Sequence, residues 1–137
     1  MAFVLDSSVT LAWLLPDEHQ DDVDVLADSL VDTTAVVPAI WAYEVGNALR
    51  VARRRARITD ADLNRLRRVL TLLPIEIEPV ASDVVLGSVA DLADKQDLTT
   101  YDAAYVELAL RRGLPLATLD ERLRKACANL RITSLPP

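Results

Sequence analysis

Short apolar runs punctuate the chain, and between them apolar residues recur every three or four positions. The runs are 2–5 (AFVL), which stops at Asp6, then 35–37 (AVV), 75–77 (IEI) and 115–119 (PLATL), with 131–135 (RITSL) as a candidate fifth. Runs this short and rich in Val, Ile and Leu predict β-strands, and unbroken ones predict strands covered on both faces. The stretches between them have helical spacing. SSVTLAWLL reads as a helix with Ser7 or Ser8 as its cap and Pro16 as its stop. Val23, Leu26, Ala27 and Leu30 predict a second helix over about 19–31. Pro38 can open a third, running through AIWAYEVGNALRVARRRA to about Ala56. Thr59 caps a fourth that Pro74 ends, Ser82 caps a fifth (SDVVLGSVADLADKQ), and Thr99 or Thr100 caps a sixth that Gly113 ends. DERLRKACANL supplies the last helix.

Strands alternating with helices imply βαβ units. The expected fold class is therefore three-layer α/β/α, with a central, mainly parallel sheet of four to five strands, as one domain over 1–137. Composition fits a packed core: 137 residues, 51% hydrophobic and 26% charged, which excludes a disordered chain. Every long apolar stretch is interrupted by Asp, Glu or Arg, so no membrane span is expected. The start, MAFVLDSS, has neither a basic region nor a long apolar stretch, so no secretory leader is expected. Cys127 and His19 are each the only one of their kind. An internal disulfide is thereby excluded, a Cys/His zinc site and a Ser-His-Asp or Cys-His unit are not expected, and the expected setting is cytoplasmic.

The acids carry the candidate chemistry. In open parallel sheets ligands bind beyond the C-terminal ends of the strands. Asp6 follows the first strand directly, and Asp120 follows the fourth almost directly. Asp102, within YDAAY at 101–105, lies in the first turn of an otherwise apolar helix with no evident partner, where an unpaired charge is costly. Glu44 lies inside a helix and is the only charged residue from Val36 to Leu49, with Asn47 one turn on. Each acid has a plain account as a cap, a first-turn acid or a boundary residue. Four at one sheet edge make that account the weaker one.

Clustered carboxylates repel and raise one another's pKa unless a cation joins them. All-oxygen ligation without His or Cys points to Mg2+ or Mn2+. Such an ion activates water and offsets charge on a phosphate, which is the chemistry of phosphodiester hydrolysis. A phosphatase of the DxDxT kind fits poorly, because DSSVT has Ser8 where the second Asp is needed. A non-catalytic acidic regulatory domain of similar fold, such as a receiver, would need a downstream Lys, and Lys95 and Lys125 are the only lysines.

Charge is unevenly distributed. Residues 1–49 hold nine acids and no Lys or Arg, 50–68 hold eight Arg against Asp60 and Asp62, and the whole chain carries −6. The Arg-rich segment reads either as a solvated helical face or as a phosphate-binding surface made by Arg50, Arg53, Arg54, Arg55 and Arg57.

Three blocks, MAFVLDSSVTLAWLL, VPAIWAYEVGNALR and LTTYDAAYVELALRRGLPLATLDERL, resemble the PIN-domain ribonucleases. Within that family the likeness is to the VapC toxins of bacterial and archaeal toxin–antitoxin pairs, and it covers essentially the whole chain. It rests on a combination: an Asp closing strand one, an E-x-x-N helix, YDAAY, and T-x-D-x-x-L after a strand. The resemblance implies an endoribonuclease dependent on Mg2+ or Mn2+, with Asp6, Glu44, Asp102 and Asp120 as its acidic quartet. Asp6 and Asp102 rank first as direct ligands, Asp120 as one acting through water, and Glu44 as one positioning a water on the metal. Ser8, Asn47 and Thr118 would support them, a helix cap being the plain alternative for Ser8. The resemblance also implies a homodimer held inactive by a VapB-like antitoxin. Trp13, Trp41, Tyr43 and the 50–57 Arg stretch are candidates for that surface, though the two tryptophans read more readily as core aromatics.

Overall fold

The computed structural model describes residues 2–137, and its centre is an all-parallel sheet of five strands in the order β3-β2-β1-β4-β5. The strands are β1 (Phe3–Leu5), β2 (Ala35–Pro38), β3 (Ile75–Glu78), β4 (Leu116–Ala117) and β5 (Ser134–Leu135). Helices cover both faces, as expected for a three-layer α/β/α fold: α1 (Ser7–Leu14), α2 (Asp24–Ser29), α3 (Ile40–Arg54), α4 (Asp60–Leu72), α5 (Ser82–Val84), α6 (Ala90–Gln96), α7 (Thr100–Arg112) and α8 (Glu121–Leu130).

Strand position follows from composition. Phe3, Val4, Leu5, Ala35, Val36 and Val37 are all buried, as unbroken apolar strands between two helical layers must be. β3 reads IEIE and lies at an edge, where Ile77 is half exposed and Glu78 pairs with Arg111 and Arg112. Registers of Phe3 with Ala35 and of Leu5 with Ala117 align the C-terminal ends of β1, β2 and β4. That alignment creates a single rim from which α1, α3 and α8 depart.

Caps set several helix boundaries. Thr59 and Asp62 form a reciprocal capping box on α4. The Thr99 hydroxyl accepts from the Asp102 amide at 3.1 Å, and Gly113 closes α7 in the left-handed conformation.

Other boundaries differ from the sequence reading. Pro38 is the last residue of β2, where its missing N–H is tolerated, and α3 begins two residues later. The expected helix over 19–31 is a 3-10 turn, Asp21–Val23, followed by the short α2, because clustered Asp residues are poor helix formers. Neither Ser7 nor Ser8 is the first cap, since Asp6 holds that position. Ser82 does not cap its helix either, which starts after Ala81 with no side-chain bond. That helix also contains a π-helical segment, Val85–Val89, joining α5 to α6. Gly87 and the crowded β-branched valines weaken the regular ladder there.

Gly113 has φ +63°, and a Cβ added there would meet nothing within 4 Å. Gly113→Ala should therefore cost about 1–2 kcal/mol through backbone strain alone. Urea unfolding checks this, and an unchanged midpoint would contradict it.

Candidate active site

The rim at the C-terminal ends of the strands collects the four acids. Asp6 follows β1 and is the N-cap residue of α1, yet its side chain makes no capping bond. The β1–β4 register carries one step further to set it beside Thr118, and the Asp6 amide donates to the Ala117 carbonyl at 2.9 Å. The Thr118 hydroxyl then donates to Asp6 Oδ2 at 2.8 Å, and the Ser8 hydroxyl donates to the same oxygen at 2.6 Å. Ser8 also accepts from the Leu119 amide at 2.9 Å, and Thr118 from the Asp120 amide at 3.1 Å. Two hydroxyls thus lock a carboxylate that is only 3% exposed to the loop after β4.

Asp120 caps α8, with Oδ1 accepting from the Arg122 and Leu123 amides at 2.8 and 3.2 Å. Its plain structural role is real and leaves the second oxygen outside the cap. Glu44 lies four residues after the start of α3, about 6 Å along the axis, so it is nearer the rim than a mid-helix position would be. Its Oε1 accepts from the Tyr105 hydroxyl at 2.5 Å. Asp102 occupies the position that Asp62 has in α4, three residues after a capping Thr. Asp62 completes the reciprocal bond to the Thr59 amide at 3.0 Å. At Asp102 no such return bond forms, so its carboxylate stays with the other acids.

Electrostatics show the consequence. Burial raises the pKa of Asp6, against the hydroxyls of Ser8 and Thr118, and the charge of Asp120 raises it further. Glu44 is pushed up first by burial, then by the charges of Asp6 and Asp102, while the Tyr105 bond pulls it down. Asp102 is likewise pushed up by burial and by Asp120 and Asp6, with the Thr99 hydroxyl and then Arg122 only partly offsetting them. None of the ion pairs among the described residues includes any of the four. Glu107 on the same α7 is the opposite case: it is buried but held by Arg111 through two bonds of 2.8 and 3.2 Å.

The donor set suits a hard divalent cation, being all carboxylate. No three of the four acids bring oxygens within 4.8 Å of one another in this arrangement; among the described residues only the exposed His19, Asp21 and Asp24 do so. A spread of that kind matches an ion that uses one or two direct carboxylates and keeps several waters.

The other candidates are placed less centrally. Asn47 is exposed and bonded to none of the four acids. Along α3 the arginines lie progressively farther from Glu44, Arg54 being about 15 Å down the axis. Arg57 is taken up by Asp17 and Glu18 at 2.7 and 2.8 Å, and Arg53 faces Asp60 at 3.8 Å. Arg50, Arg54 and Arg55 stay exposed. Trp41 is buried, its ring N–H donating to Thr10, and Trp13 donates to the Val23 carbonyl, so both serve the core while Tyr43 is 78% exposed. Tyr105 is the residue that sequence reasoning left without a role. Its signal was available: it lies three positions after Asp102, one turn along the same helical face.

A cleft of about 550 Å³ lined by Gly113, Pro115, Ile132 and Thr133 lies at the opposite rim, since those residues precede β4 and β5, and none of the four acids lines it.

The PIN-domain family model matches residues 3–129. Ribonuclease VapC3 of Pyrobaculum aerophilum is 30% identical over 123 residues, covering 90% of this chain and 92% of that protein. Ribonuclease VapC3 of Mycobacterium tuberculosis is 33% identical over 128 residues, covering 90% and 85%. Among solved structures, PAE2754 from Pyrobaculum aerophilum superposes with a TM-score of 0.69 at 25% identity, over 98% of this chain and 84% of that one. The fold is also that of VapBC2 from Rickettsia felis, solved bound to a DNA fragment from its promoter, with a TM-score of 0.68 at 14% identity over 98% and 97%. The chain belongs to the PIN-domain family. Within it, its similarity is to the VapC type.

The raised carboxyl pKa values fix the sign of a pH effect. A folded pKa above the ordinary 3.8 of Asp or 4.5 of Glu means that the native state binds protons more tightly than the unfolded chain. The contribution of these groups to stability is then full at acid pH and lost as pH rises through their folded pKa. The metal-free protein should gain stability as pH falls from 7 towards about 5. Below the ordinary 3.8 the lowered Asp17 and Asp62 act the other way. Asp6→Asn should raise the urea midpoint at pH 7 and flatten its rise towards acid. A variant that keeps the full slope would show that Asp6 does not contribute to it.

Proposed function

We propose that this protein is a metal-dependent endoribonuclease, hydrolysing RNA phosphodiester bonds as the toxin of a toxin–antitoxin pair. One observation carries the reading: four carboxylates share a sheet rim, and among the described residues none of them forms an ion pair. Membership of the PIN-domain family and likeness to VapC ribonucleases support it.

Asp6, Glu44, Asp102 and Asp120 would hold Mg2+ or Mn2+, with Asp6 and Asp102 as direct ligands and Asp120 acting through water. A bound ion of this kind supplies Lewis acidity towards water and offsets phosphate charge. The chain does the rest. Ser8 and Thr118 hold Asp6 in place and favour its anion against burial, by donating to one of its oxygens. The α7 N-terminus favours the anion of Asp102. Glu44 has one oxygen taken by Tyr105, and the other is available to accept a proton from the attacking water. Arg50, Arg54 and Arg55 provide exposed positive charge for the flanking RNA backbone, with Arg53 and Arg57 secondary because acids already engage them. A homodimer and a VapB-like antitoxin are the expected partners. Tyr43 is the one aromatic of the sequence-derived set available to them.

Among the described residues no helix is long and apolar enough to cross a membrane.

Incubation with structured RNA and Mg2+ or Mn2+ tests the chemistry. Asp6→Asn and Asp102→Asn should each lower cleavage by about 100-fold or more, and EDTA should abolish it. Equal cleavage by wild type and both variants would point to a contaminant and sink the proposal. For the basic segment, replacing Arg53, Arg54 and Arg55 together should weaken RNA binding. It should also reduce the slope of log affinity against log salt by about 0.7 for each phosphate that the variant no longer neutralises. Loss of dimerisation or antitoxin binding alone, with RNA affinity intact, would assign those arginines elsewhere.

A further inference from the structure

Three of the four acids are anchored by short connections. Asp6 is gripped by two hydroxyls, Asp120 by the amides it caps, and Asp102 by its place in the first turn of α7. Glu44 differs. It projects from α3 on a longer side chain with three rotatable bonds, and Tyr105 donates its only side-chain hydrogen bond. Tyr105 comes from α7 and is fully buried in the core. Its ring is therefore held by packing, and its hydroxyl is delivered to Glu44 Oε1 from a rigid mount. A short bond from a buried phenol to a carboxylate is charge-assisted and directional. It selects one orientation of the Glu44 carboxyl group and ties α3 to the helix that carries Asp102.

We propose that Tyr105 is a positioning residue for the acidic site, fixing the Glu44 carboxylate through one oxygen so that the other would be left for a divalent cation or its water. The assignment rests on reading the four acids as a metal-assisted ribonuclease site. Tyr105 acts through Glu44, as second partners of metal-site carboxylates generally do.

The test is a double-mutant cycle of Tyr105→Phe and Glu44→Gln in the full chain, read by Mn2+ affinity from electron paramagnetic resonance and by kcat and KM on RNA. Tyr105→Phe keeps the buried ring and removes only the hydroxyl. It should weaken Mn2+ binding about 10-fold and lower kcat by a similar factor, with KM for RNA unchanged. In the Glu44→Gln background the same substitution should change neither quantity further, because the anionic carboxylate it positions for the cation is gone. Unchanged Mn2+ affinity in Tyr105→Phe, or effects that simply add in the double variant, would overturn the proposal.

A second readout leaves Tyr105 in place. The hydroxyl proton of a short phenol–carboxylate bond resonates far downfield and exchanges slowly, so wild type should show such a signal and Glu44→Gln should lose it. Its absence from wild type, or its persistence in Glu44→Gln, also overturns the assignment. A wild type that binds Mn2+ but leaves RNA intact would refute the ribonuclease reading alone, the affinity cycle still deciding the role of Tyr105. A wild type that binds no Mn2+ overturns both.

Discussion

The molecule is shaped by one electrostatic conflict: four carboxylates meet at the end of a parallel sheet, where no lysine or arginine side chain bonds to any of them. Burial and mutual repulsion work against ionisation at Asp6, Glu44 and Asp102 together. Such a cluster persists only if specific donors hold each group and the rest of the fold can support the cost. The donors are local. Ser8 and Thr118 serve Asp6, amides of α8 serve Asp120, and Tyr105 serves Glu44. The support comes from β1, β2 and β4, whose fully buried apolar side chains keep the rim in place.

Similar residues meet opposite fates in this chain, and surroundings decide which. Asp62 and Asp102 both stand three positions after a capping threonine. Asp62 returns a bond to its cap and has a lowered pKa, whereas Asp102 makes no return bond and is raised by its acidic neighbours. Glu107 and Glu44 both sit on largely apolar helices. Glu107 is neutralised by Arg111, itself shared with Glu78, while Glu44 receives only a phenol. A carboxylate closed off by arginine stabilises the scaffold. One left with uncharged donors stays available to a cation or a proton.

The basic stretch shows how far a local charge pattern can be read. Its arginines cluster in sequence, but α3 carries Arg50, Arg53 and Arg54 only in its last five residues, away from Glu44. Arg57 then folds back on Asp17 and Glu18, which a net count of the segment could not reveal. The tryptophans illustrate the same limit. Trp41 is locked inside by its bond to Thr10, and Trp13 is tied to Val23, leaving Tyr43 as the exposed aromatic.

Much was legible in the order of residues alone. Alternating strand and helix periods dictate a parallel α/β sheet, and an acid placed directly after a strand must project at that strand's C-terminal end. With one His and one Cys in the chain, a Cys/His zinc site lacks ligands, and the four acids themselves offer a metal only oxygen. These features are local or periodic, so one dimension contains them. What the tertiary structure decided is which distant side chains complete each acid. Thr118 reaches Asp6 across 112 positions of chain and Tyr105 reaches Glu44 across 61. Those contacts depend on strand register and on how α3 packs against α7, and no local pattern encodes either. The capture of Arg57 by Asp17 was likewise settled by tertiary contacts.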